Sequence, residues 1–185
     1  MPRIEIRWHG RGGQGAVTAS QIIAEAAIRE GKWAQAFPEF GAERRGAPVR
    51  AYTRINDKPI YTRAPITSPD IIVILDSSLL TLKGITDGLK KGGLIVINTV
   101  KDPNEIKKAI SREDVKVAVV NATKIALETL KRPIVNTAIL GALIKVTNLV
   151  KLDSIFEVIK EHFPKRIALP NIECVKKAYE EVKIG

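Results

Sequence analysis

The sequence has little of what redox centres and base-stacking surfaces are made from. Of 185 residues, one is cysteine and one is methionine, and aromatics make up 5%. A lone Cys174 forms no internal disulfide. With no CxxC pair, zinc and iron–sulfur clusters have no ligand set in this chain. Cys174 is expected to be a small apolar residue on a helix face. No apolar run approaches the roughly 20 residues that span a bilayer. The opening MPRIEIRW enters an alternating strand directly, without a signal peptide. A soluble, cytoplasmic protein is expected. The scarcity of aromatics removes a platform for stacking bases. A net charge of +10 and a pI near 9.8 therefore point to acidic partners or anionic cofactors rather than nucleic acid. The basic residues agree with this, being interspersed with acids in EIKK, SREDVK and KKAYEEVK. Abundant lysine, isoleucine and glutamate follow a thermophile bias.

The length suits one domain, residues 1–185. Alternation predicts a strand at 4–8 and helical periodicity predicts a helix at 16–30, stopped by Gly31. Further strands are expected within 32–37 and at 49–55. Asn56 and Asp57 then supply turn chemistry before Pro59, so a small antiparallel excursion should follow the second strand. Continuously apolar runs at 70–76 (DIIVILD), 94–98 (LIVIN) and 115–120 (VKVAVV) read as strands covered on both faces. Helices are expected at 79–90 and 104–111. The C-terminal part should be helical, at 124–130, 136–149, 154–162 and 173–182, punctuated by Pro133, Pro164 and Pro170. The fold class is α/β: Rossmann-like, a mainly parallel sheet wrapped by helices.

Between the first strand and helix lies WHGRGGQGAV. Gly10, Gly12 and Gly15 meet the G-x-G-x-x-G spacing, which permits a tight turn and a close backbone approach to a phosphate. The candidate anion-binding loop is Gly10, Arg11, Gly12, Gly13, Gln14 and Gly15. It has free N–H groups and a helix start behind it, and Arg11 offers charge-assisted bonds. A glycine turn that only seats the helix is the other reading. A nicotinamide fold needs an acid after the second strand; in KWAQAFPEFG the only one is Glu39, beyond a proline. His9 invites an acid–base role but has no nucleophile or carboxylate pair nearby, and a strand-end histidine is commonly structural. His162, in a last helical turn, should bond the terminal carbonyls.

A second constellation is FGAERRGAPVRAYTR. Arg44 and Arg45 stand between Gly41 and Gly46, with Arg50 and Arg54 along the next strand. Its targets are a carboxylate, a phosphate or a partner's acidic surface, or it is a solvated turn.

With both elements in view, the chain resembles the gamma subunits of pyruvate and related 2-oxoacid:ferredoxin oxidoreductases. That family carries G-x-G-G-Q-G, then G-x-x-x-R-G-G about thirty residues later, then an apolar strand between aspartates, matched here by SPDIIVILD. Ala47 replaces the last glycine of the second motif; spacing to Gly46 favours Arg45 as its arginine. The resemblance implies pyruvate, coenzyme A and oxidised ferredoxin going to acetyl-CoA, carbon dioxide and reduced ferredoxin. It also implies thiamine diphosphate, Mg2+ and [4Fe-4S] clusters on companion alpha, beta and delta subunits. This chain would then have no catalytic residue and no metal of its own. Its expected roles are structural and coenzyme-A-contacting, with Arg44, Arg45 and Gly46 against partners, and it would serve a branched-chain 2-oxoacid complex as well. The alternative is an independent NAD or flavin oxidoreductase.

Overall fold

The computed structural model describes residues 2–39 and 45–185. Strand β1 (Ile4–Arg11) leads into helix α1 (Ala16–Arg29), followed by β2 (Trp33–Pro38), β3 (Pro48–Asn56) and β4 (Ile71–Ile74). A short 3-10 helix (Ser77–Thr81) precedes β5 (Leu94–Asn98), α2 (Pro103–Ile110) and β6 (Lys116–Val120). Helices α3 (Ala122–Leu130), α4 (Asn136–Thr147), α5 (Leu152–His162) and α6 (Lys165–Glu181) come next, before a two-residue strand β7 (Lys183–Ile184).

All seven strands form one sheet in the order β2-β3-β1-β4-β5-β6-β7. The pairs β1–β4, β4–β5 and β5–β6 are parallel, whereas β1–β3, β2–β3 and β6–β7 are antiparallel. The expected antiparallel excursion is therefore β2 and β3, and it supplies one flank of the sheet. Rossmann-like is a loose description, because only the central run β1-β4-β5-β6 is parallel.

Pattern explains the layers. In β1, Ile6 and Trp8 face α1 and are fully buried. Arg7 and His9, one register step away, face the opposite side. Strands β4 and β5 are buried at every residue, as their unbroken apolar sequences require. One apolar cluster joins the sheet to α1, α3, α4, α5 and α6. A smaller one on the other face includes Ile72, Ile74, Leu79, Ile95, Ile97 and Ile106. Helix α4 is buried from Asn136 to Ile144 and crosses α6 closely. A Cβ on Gly141 would stand 2.1 Å from the Val175 carbonyl oxygen.

Three expectations need correction. Residues 79–90 are not an α-helix: after the 3-10 helix the chain makes turns in which Gly84 and Gly88 have φ of 82° and 74°. A helix interior admits no left-handed residue. The last helix starts at Lys165 and carries Pro170 inside it. Proline needs only a fixed φ and no N–H, so early in a helix it costs one hydrogen bond without ending the helix. The chain also ends in β7 rather than in helix.

Candidate functional site

The connection leaves β1 toward one side of the sheet, through α1 to β2 and β3, and returns through β4 to the other. Ligands of open α/β sheets bind at such a switch point, beyond the carboxyl ends of the strands. A cleft of about 970 Å³ lies there, lined by Gly12, Gly13, Gln14, Arg45, Asp76, Asn98, Lys101, Asn121 and Arg132, among others.

The loop after β1 is held by its own side chains. The Arg11 N–H donates to Gln14 Oε1 at 2.7 Å, and Gln14 Nε2 donates to Asp76 Oδ2 at 2.9 Å. The Arg11 guanidinium donates to Ser78 Oγ and to the Gly46 carbonyl, and lies 3.3 Å from Asp76. Burial works against ionising Asp76, but hydrogen bonds from Ser78 and Gln14, with the Arg11 charge, outweigh it and lower its pKa. Arg11 and Gln14 thus clamp the loop.

The two motifs meet here. The Gly12 N–H donates to the Ala47 carbonyl at 2.8 Å, Gly46 N–H donates to the Gly12 carbonyl at 3.1 Å, and Gly12 bridges Arg45. Gly46 has φ of 83°, while Ala47 has no positive φ. The alanine is accommodated because left-handed backbone is required one residue earlier. Arg45 is exposed at the cleft; Arg44 lies outside the described residues. Arg54 is buried on Glu5 at 2.8 Å, and Arg50 lies 3.6 Å from Glu39. Neither serves the cleft.

Gly13 and Gly15 have φ of 92° and 87°. A Cβ on Gly15 would come within 2.6 Å of the Asn136 side chain, so α1 and α4 begin side by side. Neither helix has a capping side chain at its N-cap. In α4 the Thr137 N–H is taken by Asn136 Oδ1 at 2.9 Å; the other first N–H groups and the aligned dipoles favour an anion. The start of α3, with Asn121 as cap, joins them. Asn98 fixes the floor by donating to the Leu75 carbonyl and to Thr123 Oγ1, and by accepting from the Thr123 N–H. Lys101 and Arg132 have no ion-pair partner among the described residues. The cleft therefore offers cations and N–H donors to a ligand, and Asp76, its one carboxylate among the described residues, is already engaged.

His9 does not line the cleft. Its Nε2 accepts from Arg7 Nε at 3.0 Å, placing the ring proton on Nδ1. Burial first, then the Arg7 and Arg50 charges, push its pKa down to about 3, so it is neutral near pH 7. His162 ends α5, as expected, but bonds Glu25 of α1 at 2.8 Å rather than terminal carbonyls. Cys174 is fully buried, and burial raises its thiol pKa. Glu39 accepts from the Tyr52 hydroxyl and so is already engaged. Among the described residues no group of three or more His, Cys, Asp or Glu is placed to hold a metal. None of the helices there is long and apolar enough to cross a membrane.

Asp76, Asn98 and Asn121 were not singled out from sequence, although each closes an apolar run, as in DIIVILD, LIVIN and VAVVN. A polar residue ending a parallel strand is a signal for the functional edge of the sheet. Lys101, Arg132 and Asn136 carry no such local mark.

Fold and site together define an α/β scaffold whose strand-end cleft is lined by glycines, amide side chains and cations. The profile of the family described as pyruvate ferredoxin/flavodoxin oxidoreductase matches residues 5–181, and the chain belongs to that family. The common gamma subunit of pyruvate/ketoisovalerate oxidoreductases from Thermococcus litoralis is 51% identical over 181 residues, with 98% of each chain covered. The pyruvate synthase subunit PorC of Methanothermobacter thermautotrophicus is 52% identical over 180 residues, covering 97% of this chain and 96% of that one. The crystal structure of the pyruvate oxidoreductase subunit PorC from Thermotoga maritima superposes with a TM-score of 0.89 at 45% identity, covering 99% and 98%. The chain is a gamma-type subunit of a multi-subunit oxidoreductase complex, and so has subunit partners. A free-standing nicotinamide or flavin enzyme finds no support in these matches.

Proposed function

We propose that this subunit serves the reaction of pyruvate, coenzyme A and oxidised ferredoxin to acetyl-CoA, carbon dioxide and reduced ferredoxin, with its glycine-loop cleft receiving phosphates of coenzyme A. The observation that carries the reading is the cleft itself: two helix starts whose N-cap residues supply no side-chain bond, Gly12 and Gly13, and the cations Arg45, Lys101 and Arg132 around one switch point. Coenzyme A is the substrate of that reaction with several phosphates. [4Fe-4S] clusters do not fit the donors here, whose only thiol is buried in α6, and we assign thiamine diphosphate and Mg2+ with them to other subunits. They belong to alpha, beta and delta companions in the cytoplasm. The relatives shared between pyruvate and ketoisovalerate enzymes favour service to a branched-chain complex too. Residues 1–185 act as one domain.

Arg44, Arg45 and Gly46 form the proposed partner contact. Arg45 also stands at the cleft, so a ligand and a partner would meet there. Replacing Arg44 and Arg45 by alanine should weaken assembly and leave the core folded.

The test titrates coenzyme A against assembled complexes carrying Gly12→Val or the pair Lys101→Ala and Arg132→Ala. Removing a charge-assisted bond to the ligand should cost about 1–3 kcal/mol of apparent coenzyme A affinity, while decarboxylation before acyl transfer changes less. Unchanged coenzyme A dependence in both variants returns the loop to a turn that seats α1. Purified alone, the chain should reduce no ferredoxin with any 2-oxoacid.

A further inference from the structure

A second cavity, of about 590 Å³, lies between the end of α3 and the start of α6. Its walls are Leu130, Ile134, Phe163, Ile167 and Pro170, with Arg132 and Arg166 at its rim. Apolar surface continues beyond it. Leu127, one turn before Leu130, is 47% exposed, and Leu169, near one turn after Arg166, is 56% exposed. Leu127 is two residues from Thr129 and Leu169 is next to Pro170, both of which line the cavity, so exposed apolar side chains lie close in sequence to each wall.

The charges around the groove have one sign and are open. Arg132, Lys165 and Arg166 are exposed and have no ion-pair partner among the described residues. The nearby Glu128 is already shared by Lys124 at 3.9 Å and Lys177 at 4.0 Å. Part of the groove floor is satisfied by Asn171, which donates to the Ile167 carbonyl and accepts from Thr137 Oγ1, whereas Thr129 Oγ1 there is buried without a hydrogen-bond partner.

From this we infer that the α3–α6 groove is a docking site for a companion-subunit segment that presents an apolar side chain flanked by carboxylates. The apolar walls take the anchor and exclude water, as the buried centre of an interface does. Arg166 and Lys165 take the carboxylates. Such a segment complements the unpaired positive rim, whereas a basic one would be repelled. Arg132 and Ile134 line this groove as well as the glycine-loop cleft. The docked segment therefore abuts the wall of the ligand site.

The experiment titrates the full chain onto the remaining subunits of its complex, using wild type, Leu169→Glu and Arg166→Glu. Each variant should weaken association by about tenfold or more. The defect of Arg166→Glu should shrink in high salt and that of Leu169→Glu should not. Complexes assembled at saturating concentration should keep the wild-type coenzyme A requirement. Association is judged on variants whose circular dichroism matches wild type, with Leu127→Glu on the opposite wall replacing Leu169→Glu if the latter misfolds. Wild-type association in all variants overturns the inference. So does normal association with a raised coenzyme A requirement, which would make the groove an extension of the ligand cleft.

Discussion

The two ends of the parallel strands contrast sharply. At the amino-terminal end, polar groups are stitched together. Asp70 accepts from the Glu5 N–H at 2.8 Å and from Lys90 Nζ at 2.7 Å, while its own N–H donates to the Glu5 carbonyl. The Leu94 N–H donates to the Asp70 carbonyl, and the Lys90 N–H to that of Pro69. At the carboxyl end, side chains hold the loops in place but two helix starts have no capping side chain, and Lys101 and Arg132 have no carboxylate among the described residues. Satisfied donors stabilise the fold; open ones remain available to a ligand. One end of the sheet is thus closed on itself, while the other keeps cations without carboxylate partners among the described residues.

Substitutions at the closed end should then cost folding free energy, with the largest effect at Gly88. Its φ is 74°, and a Cβ there would lie 1.9 Å from the Thr67 carbonyl oxygen, which is backbone and cannot rotate away. Gly88→Ala should lower stability by about 3 kcal/mol or more, read as a shifted denaturation midpoint. A change under about 1 kcal/mol would show that the turn gives way and the closed end is softer than its packing suggests.

The buried histidine between the two ends gives the next effect, in its dependence on pH. His9 has a folded pKa of about 3, below the ordinary value of about 6.5. The unfolded chain therefore binds a proton that the folded chain refuses. This contribution is complete above about pH 6.5 and falls by about 1.4 kcal/mol per pH unit as pH drops toward 3. His9→Gln keeps an acceptor for Arg7 and does not titrate, so its stability should decline less steeply over that window. Parallel curves for the two proteins would mean that His9 is protonated in the native state.

Asp70→Ala comes third, because it strips the Glu5 N–H of its acceptor and Lys90 of its partner. A drop in stability of about 1–3 kcal/mol is expected, with no change in the coenzyme A requirement of the assembled complex. A raised requirement would link the closed end to binding and blur the contrast.

The smallest effect on stability belongs to the open end. Lys101→Ala with Arg132→Ala should leave the denaturation midpoint within about 0.5 kcal/mol of wild type, even though the same pair should weaken coenzyme A binding. A clear fall in stability would mean that these cations support the fold, and the division of labour between the ends would fail.

Much of this arrangement was legible in the sequence, for identifiable reasons. Alternation in IEIRW, the glycine stop after α1 and the unbroken apolar runs are local signals of local structure, and they set out the strand–helix order. The motifs GRGGQG and GAERRGAP carried the family. Residues 79–90 misled because Leu79, Ile85 and Leu89 do face an apolar cluster, yet they reach it from a 3-10 helix and turns. Periodicity registers burial before it registers backbone form. His162 misled differently. Its place at a helix end was right, but its partner, Glu25, is 137 residues away in sequence.

By itself the sequence determined most of the elements, the parallel core, the glycine loop and the want of any cluster-binding thiols, because each depends on residue type and near-neighbour spacing. Tertiary structure decided which residues meet. It laced Gly12 to Ala47, set Asn136 against Gly15, and brought Lys101 and Arg132 to the same cleft. It also turned Arg11 inward onto Asp76, closed Arg54 onto Glu5 and left Arg166 open beside a groove. Those outcomes follow from strand order and helix crossing, which fix distances between residues far apart in the chain. No local pattern encodes such distances, because they arise only when the whole sheet and its helices bury their apolar faces together.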